Sequence, residues 1–407
     1  MRIGIISGEY PPMQGGVGDY TRALARAIAA AGHEVYILTS TAAQPVQHTL
    51  RVHVQPSVSR WGRWGKDDQS VRGDRQALSW IDKNRLDIVN VQYQAAAYDM
   101  HVAVNNLPRR LRQRVPVVTT FHDLLVPYLF PKAGGLRKRV IYQMARHSSG
   151  VIVTNMADEH ELHAAGDMPR IARIPIGSNI AVAPPPGYTK QSWRQQMHVP
   201  DDVLLVGYFG FVNASKGIDT LAHAIRLLVE REVNVELLII GGQAGSSDRT
   251  NIEQADAIER LIGGLGINRR VRWTGFIEPA AVSAFLMACD VVALPFKDGV
   301  SLRRGTLMAA LAHGCSIVTT FPGELGPPEL KDRVNLRMVH PENPQFLADV
   351  LQELWRDPAQ RTRLGEAAAE VAHHFEWESI ADKTLNFLEW LTDKHKTEPH
   401  LRTIDHK

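Results

Sequence analysis

Eleven short apolar runs, most of them rich in Val and Ile, recur along the chain, with amphipathic stretches separating several of them. A first series occupies 2–7 (RIGIIS), 33–40 (HEVYILTS), 87–93 (DIVNVQY), 115–121 (VPVVTTF), 150–154 (GVIVT) and 171–176 (IARIPI). A second occupies 203–210 (VLLVGYFG), 235–242 (VELLIIGG), 271–276 (VRWTGF), 290–296 (DVVALPF) and 315–320 (CSIVTT). A strand that is apolar at every position must be covered on both faces, and strands alternating with helices such as 19–32 make that cover. The pattern predicts an α/β chain with two doubly wound, Rossmann-like domains in tandem.

At 407 residues the chain is too long for one ordinary core. The first domain is expected over 1–182 and the second over 194–375. They join near 183–193, where Pro184, Pro185 and Pro186 in succession forbid regular structure. A ligand cleft is expected where the carboxyl ends of the two sets of strands face each other. Residues 376–394 read as a closing helix that returns to the first domain, with Trp377, Ile380, Thr384, Leu388 and Leu391 near one face. The polar tail 397–407 is expected to fray.

With 44% hydrophobic and 22% charged residues, the composition is that of a folded globular protein. Cys289 and Cys315 lie in apolar runs without metal-ligand spacing, which predicts buried free thiols and a cytoplasmic location. No signal-peptide pattern or run of membrane-spanning length is read. The net charge of +3 hides a split: residues 1–185 hold 22 Lys+Arg against 14 Asp+Glu, the remainder 24 against 29. Between Asn105 and Gly150 there are nine basic residues and one acid, Asp123. This basic face, with Trp61 and Trp64 nearby, is read either as a solvated surface or as a peripheral contact with an anionic inner leaflet.

Four places can carry chemistry. Gly15-Gly16-Val17-Gly18 leads into a helix, and glycines there let backbone N–H groups approach a phosphate, although a tight turn binding nothing fits equally. The spacing is not G-x-G-x-x-G, which argues against a dinucleotide. His122 follows the fourth strand, on the edge where such sheets bind ligands; a structural histidine is the plain alternative. Lys216, after the first strand of the second domain, has the length and charge to reach a diphosphate, or else is solvated beside a helix cap at Ser215. Asp298, Gly299, Ser301, Arg303 and Arg304 precede a short buried helix. Two cations oppose the dipole there, so they hold an anion, face solvent, or pair with Asp298.

These four places, in this order, resemble the retaining glycosyltransferases of family 4, which have the GT-B fold. The resemblance runs over nearly the whole chain. It is carried by GGVGDYTRALARAIAAAGHEV (15–35), DIVNVQY, TTFHD, IPIGSNI (174–180), Lys216-Gly217, LLIIGG, TGFIEPAAVSAFLMACDVVALPF, AALAHGCSIVTT and FEWESIADKTLNFLEWL. It implies a nucleotide-sugar donor held mainly by the second domain and an acceptor held by the first. By that resemblance Gly15 and Gly16 face the donor diphosphate and sugar, His122 contacts the transferred sugar, and Lys216 stabilises the leaving diphosphate. The base lies beyond Gly241 and Phe276-Ile277. No cofactor and no metal are implied.

The chain departs from the family at two points. Phe211 stands where the family has an Arg, and Ser301 and Ala309 stand where it has two glutamates. The loop DGVSLRRG is two residues longer than usual, so Asp298 is a candidate for the first acidic role, and Thr306 is the nearest polar candidate for the ribose hydroxyls. At least one of Arg303 and Arg304 is expected to replace the charge missing at Phe211. The expected function is retaining, metal-independent transfer from a UDP- or GDP-linked sugar to a glycan or lipid-linked acceptor. Rival readings are a nucleotide-sugar-binding protein with weakened catalysis, a sugar-nucleotide epimerase and a nicotinamide-dependent oxidoreductase; no nucleic-acid recognition motif is read.

Overall fold

Strand β1 (Arg2–Ser7) shows why the apolar runs are continuous. Successive side chains of a strand point to opposite faces. Ile3 and Ile5 join one core with Leu24 and Ile28, while Ile6 joins a second core with Trp80 and Leu86. Both faces of the sheet are dry, so neither parity can be polar. The computed structural model describes residues 1–407 except 14, 44–48, 60, 62–72, 125–133, 243–248, 324–325 and 398–407. Trp64, part of the basic segment before Gly134, and the tail from 398 therefore lie outside the described residues.

The chain divides into two compact units, Met1–Gly177 with Trp377–Lys407, and Ser178–Glu376. In the first, β1 is joined by β2 (Glu34–Ser40), β3 (Val52–Val58), β4 (Ile88–Tyr93), β5 (Val117–Phe121), β6 (Gly150–Val153) and β7 (Ile171–Arg173). All pair in parallel, in the order β3-β2-β1-β4-β5-β6-β7. The second unit contains β8 (Leu204–Phe211), β9 (Val235–Gly242), β10 (Val271–Trp273), β11 (Val291–Leu294), β12 (Ile317–Thr320) and β13 (Arg337–Val339). Its order is β10-β9-β8-β11-β12-β13, again parallel. In both sheets the order reverses beside the first strand, between β1 and β4 and between β8 and β11. Crevices open at such switch points, outside the carboxyl ends of the strands.

The sequence pattern does not reveal β3, which is a half-exposed strand at a sheet edge, or β13, which is too short to show a run. β3 carries Pro56 and polar residues, and most of its side chains are only half-buried. An edge strand tolerates the missing N–H of proline and has no need of an unbroken apolar run. β13 is three residues long.

The helix Trp377–Thr397 packs against the helix Gly16–Ala30 within the first unit, where Ile380 and Leu388 join the core of Leu24 and Ile28. Thr384 is buried on the same face because its hydroxyl donates to the Ile380 carbonyl at 2.8 Å. Trp61 is only 7% exposed and meets Tyr98 edge-on at 4.9 Å, so it is a core residue and takes no part in a peripheral contact. Cys289 and Cys315 are buried and free, and burial raises both thiols, Cys315 to about 12. Among the described residues no helix is long and apolar enough to cross a membrane. Leu388→Ala should lower the unfolding free energy in urea by about 2–5 kcal/mol, whereas Asn386→Ala on the exposed face should change it by less than about 0.5 kcal/mol.

Candidate active site

In the first unit the chain leaves β1 at Ser7, whose hydroxyl donates to the Glu9 carbonyl at 2.7 Å and starts the turn into the glycine loop. The helix Gly16–Ala30 then begins without a cap from the residue before it. Its first amides are instead satisfied by Glu9, whose Oε1 accepts from Val17 N–H at 2.9 Å and Gly18 N–H at 3.0 Å. A Cβ on Gly15 would overlap the Glu9 carboxylate, whereas one on Gly16 would meet open space. Burial raises the Glu9 carboxyl above its usual range, partly offset by the two amides.

His122 leaves β5 with its N–H bonded to the Tyr93 carbonyl at 3.0 Å. Its Nε2 lies 2.9 Å from Gln92 Oε1, so the Nε2–H tautomer donates and Nδ1 is left as an acceptor. Tyr20 meets the imidazole edge-on at 4.7 Å. Burial pushes His122 down to about 4, so the ring is neutral near pH 7. A neutral imidazole with one free lone pair accepts a hydrogen bond from a hydroxyl; it is no reservoir of protons. The next residue, Asp123, receives Gln94 Nε2 at 2.8 Å.

In the second unit Asn213, not Ser215, caps the short turn after β8: its Oδ1 accepts from Ser215 N–H at 3.2 Å and the Ser215 hydroxyl at 2.9 Å. Gly217 follows at φ +69°, and a Cβ there would overlap the Pro295 carbonyl oxygen. Only glycine permits both the left-handed turn and this approach to the end of β11. Lys297 N–H bonds to Ser215 O at 2.9 Å, tying the two loops together.

That junction brings Lys216 and Arg304 to one aromatic ring. Lys216 Nζ is 5.1 Å and Arg304 Cζ 4.7 Å from the centroid of Phe296, which is fully buried. Arg304 Nη2 also donates to both carboxylate oxygens of Asp298, so the ion pair foreseen as one of three possibilities exists. Burial first, and Arg304 second, lower Lys216 to about 8, against the opposing pull of Asp298. Arg303 and Ser301, in the same loop, are half-buried. Gly299, at φ +82°, turns the loop back from its hydrogen bond to the Phe296 carbonyl.

Thr306 faces Gly210 at the end of β8, and its buried hydroxyl has no partner among the described residues. On the far side of β8, Gly241 N–H donates to the Thr274 hydroxyl at 3.0 Å and bridges to Gly275. Phe276 follows, 72% exposed, with Ile277 half-buried. Phe211 is 47% exposed and brings no charge.

Lys216, Asp298, Gly299, Arg303, Arg304 and Thr306 thus gather around the β8–β11 switch point, with Gly241, Phe276 and Ile277 toward β9 and β10. Gly15, Gly16 and His122 lie at the corresponding end of the first sheet. Sequence reading did not single out Glu9, Gln92 or Phe296. A polar residue inside the buried run of β4, at 0% exposure, was the signal for Gln92. A carboxylate directly after β1 was the signal for Glu9.

Holding Lys216 as a partly desolvated cation costs stability. Because its folded pKa lies below the unfolded one, the cost is present below about pH 8 and disappears toward pH 10.5. Lys216→Met should therefore raise the unfolding free energy at pH 7 by about 1–2 kcal/mol, with a smaller gain at pH 9.5.

Residues 14–181 match the family described as Glycosyltransferase Family 4, and residues 201–357 match Glycosyl transferases group 1. The D-inositol 3-phosphate glycosyltransferase of Corynebacterium efficiens is 27% identical over 94% of this chain and 93% of its own length. That of Xylanimonas cellulosilytica is 28% identical over 95% of each. Among solved structures, sucrose-phosphate synthase from Thermosynechococcus elongatus superposes with a TM-score of 0.75 at 22% identity, covering 97% of this chain and 99% of that one. The Anabaena protein HepE in complex with UDP and glucose gives 0.75 at 20% identity, covering 96% and 100%. Two parallel sheets of Rossmann-like order, the C-terminal helix on the first unit and the two family matches lead to one assignment: the chain belongs to glycosyltransferase family 4, a family of retaining enzymes with the GT-B fold, and is a nucleotide-sugar glycosyltransferase.

Proposed function

We propose that this enzyme transfers a hexose from a UDP- or GDP-linked donor to a glycan or lipid-linked acceptor with retention of anomeric configuration. The observation that carries the donor reading is the pair of cations, Lys216 and Arg304, stacked on Phe296 at the β8–β11 switch point. A diphosphate is the ligand that matches two cations, a guanidinium fork and the loop of Gly299 at such a place. The methyl of Thr306 lies against Gly210 at the same switch point, and Thr306 is assigned to the ribose. Phe276 and Ile277, with Gly241, are assigned to the base.

In the reaction, the bond between the anomeric carbon and the diphosphate oxygen breaks, and its electron pair leaves with the phosphate. Lys216 and Arg304 stabilise that charge, which grows as the bond lengthens. The acceptor hydroxyl attacks from the face the phosphate is leaving. Its proton passes to a phosphate oxygen, so no pair of protein carboxylates is needed. His122, neutral and with Nδ1 free, accepts a hydrogen bond from a hydroxyl of the transferred sugar. Arg304 supplies the charge that the family's arginine would supply at Phe211.

The experiment is a panel of UDP, GDP and ADP sugars assayed for release of the nucleotide, with the anomeric configuration of the product read by NMR. Lys216→Ala should lower kcat by about 10²–10³-fold. Arg304→Ala should raise the donor KM about tenfold. If Arg303→Ala and Arg304→Ala both leave donor affinity unchanged, the diphosphate assignment is wrong. Nucleotide binding without turnover toward any acceptor would favour a binding protein instead.

Lys216 also sets a pH dependence. It is charged below about pH 8 and loses its proton above, so donor affinity should fall as pH rises from 7 to 9. Lys216→Arg, which remains charged, should flatten that fall.

A further inference from the structure

At the amino ends of β5, β6 and β7 the first unit holds a cavity of about 330 Å³. Pro116 leads into β5 on one side of it and Arg170 into β7 on another, while Trp390, Leu391 and Lys394 reach it from the last turns of the helix Trp377–Thr397. Gly150 lets that helix lie close to β6, since a Cβ there would fall 2.6 Å from Leu391 Cδ1 and 2.8 Å from Phe387 Cζ. Leu391 belongs to the core with Ile380 and Leu388, but Trp390 lies off that stripe and is 40% exposed. Its ring carries two cations, Arg170 Cζ at 4.2 Å and Lys394 Nζ at 5.5 Å from the centroid. Neither cation has a carboxylate partner among the described residues, and none of the described residues lining the cavity is acidic.

We propose that this cavity binds a small organic anion, a carboxylate on an apolar body, with the body against Pro116, Pro169, Trp390 and Leu391 and the carboxylate on Arg170 and Lys394. The volume stands at the lower end of the ~300–1,000 Å³ spanned by small-molecule sites, which suits a ligand of few atoms. An indole that the helix does not need for its core packing supplies an apolar wall. A guanidinium stacked on that wall keeps its N–H edge available, and the edge matches a carboxylate bidentately. Two cations held to one ring repel each other, and an anion between them relieves the repulsion. The cavity opens at the amino ends of the strands, whereas His122 leaves β5 at its carboxyl end, so the inference does not rest on the proposed reaction.

The test is an NMR titration of the full-length chain, isotope-labelled at tryptophan, with octanoate as the probe. The indole N–H signal of Trp390, assigned through Trp390→Phe, is followed. Octanoate should shift it saturably. Octylammonium, with the same chain and the opposite charge, should leave it in place. Acetate, with the same head and no chain, should bind at least about tenfold more weakly. Arg170→Gln and Lys394→Gln, both at exposed positions, should fold like the wild type and each weaken octanoate by about tenfold. Lys83→Gln, on the separate helix Gly73–Asn84, should leave octanoate binding unchanged. The proposal is overturned if octanoate leaves the Trp390 signal unmoved, if octylammonium moves it with equal affinity, or if acetate binds as tightly as octanoate. It is also overturned if neither Arg170→Gln nor Lys394→Gln weakens octanoate, or if Lys83→Gln weakens it as much as they do.

Discussion

Parallel pairing of strands that are dry on both faces is the constraint from which the rest follows. Most of the parallel connections cross their sheet through a helix, so within each sheet all strands run in the same direction and the functional loops leave from the same edge. The carboxyl ends of β1 and β5 deliver Glu9 and His122, and those of β8 and β11 deliver Lys216 and the Asp298–Arg304 loop. A polar residue on a face of either sheet would have to satisfy itself within the core, as Asn90 does by accepting from Thr120 at 2.9 Å. Chemistry is thereby confined to the ends of strands.

Within that frame the candidate site is organised by buried aromatic and glycine positions more than by charged ones. Phe296 is the surface on which two cations come together in spite of their repulsion, and Gly217 is what lets Lys216 approach it. The lowered pKa of Lys216 is the price of this arrangement. A cation already partly stripped of water and beside another cation gains most when a dianion arrives, which is the situation of a departing diphosphate.

Both units keep a carboxylate against groups that would attract a ligand's negative charge. Asp298 engages Arg304 and Glu9 engages the helix amides of Val17 and Gly18. The two differ in what they leave behind. Asp298 is 58% exposed on its side chain and offers a cation that a phosphate can share. Glu9 is held by the backbone in a turn fixed at Ser7, with no cation to give up.

The sequence by itself determined the two parallel sheets, the long closing helix and the loops that carry Lys216, His122 and Arg304. Buried strands must be apolar at every position and amphipathic helices must show their period, so these features survive in a linear pattern. β3 escaped because an edge strand can stay half-exposed and carry a proline, and β13 because three residues are too few to show a run. Only the tertiary structure decided that Asn213 and not Ser215 caps the turn, that Trp61 is core, that Nε2 of His122 is committed to Gln92, and that Glu9 fills the end of a helix eight residues ahead. Those outcomes rest on which side chains meet across the ends of neighbouring strands. Such meetings depend on sheet order and backbone turns, and no local period in the sequence records them.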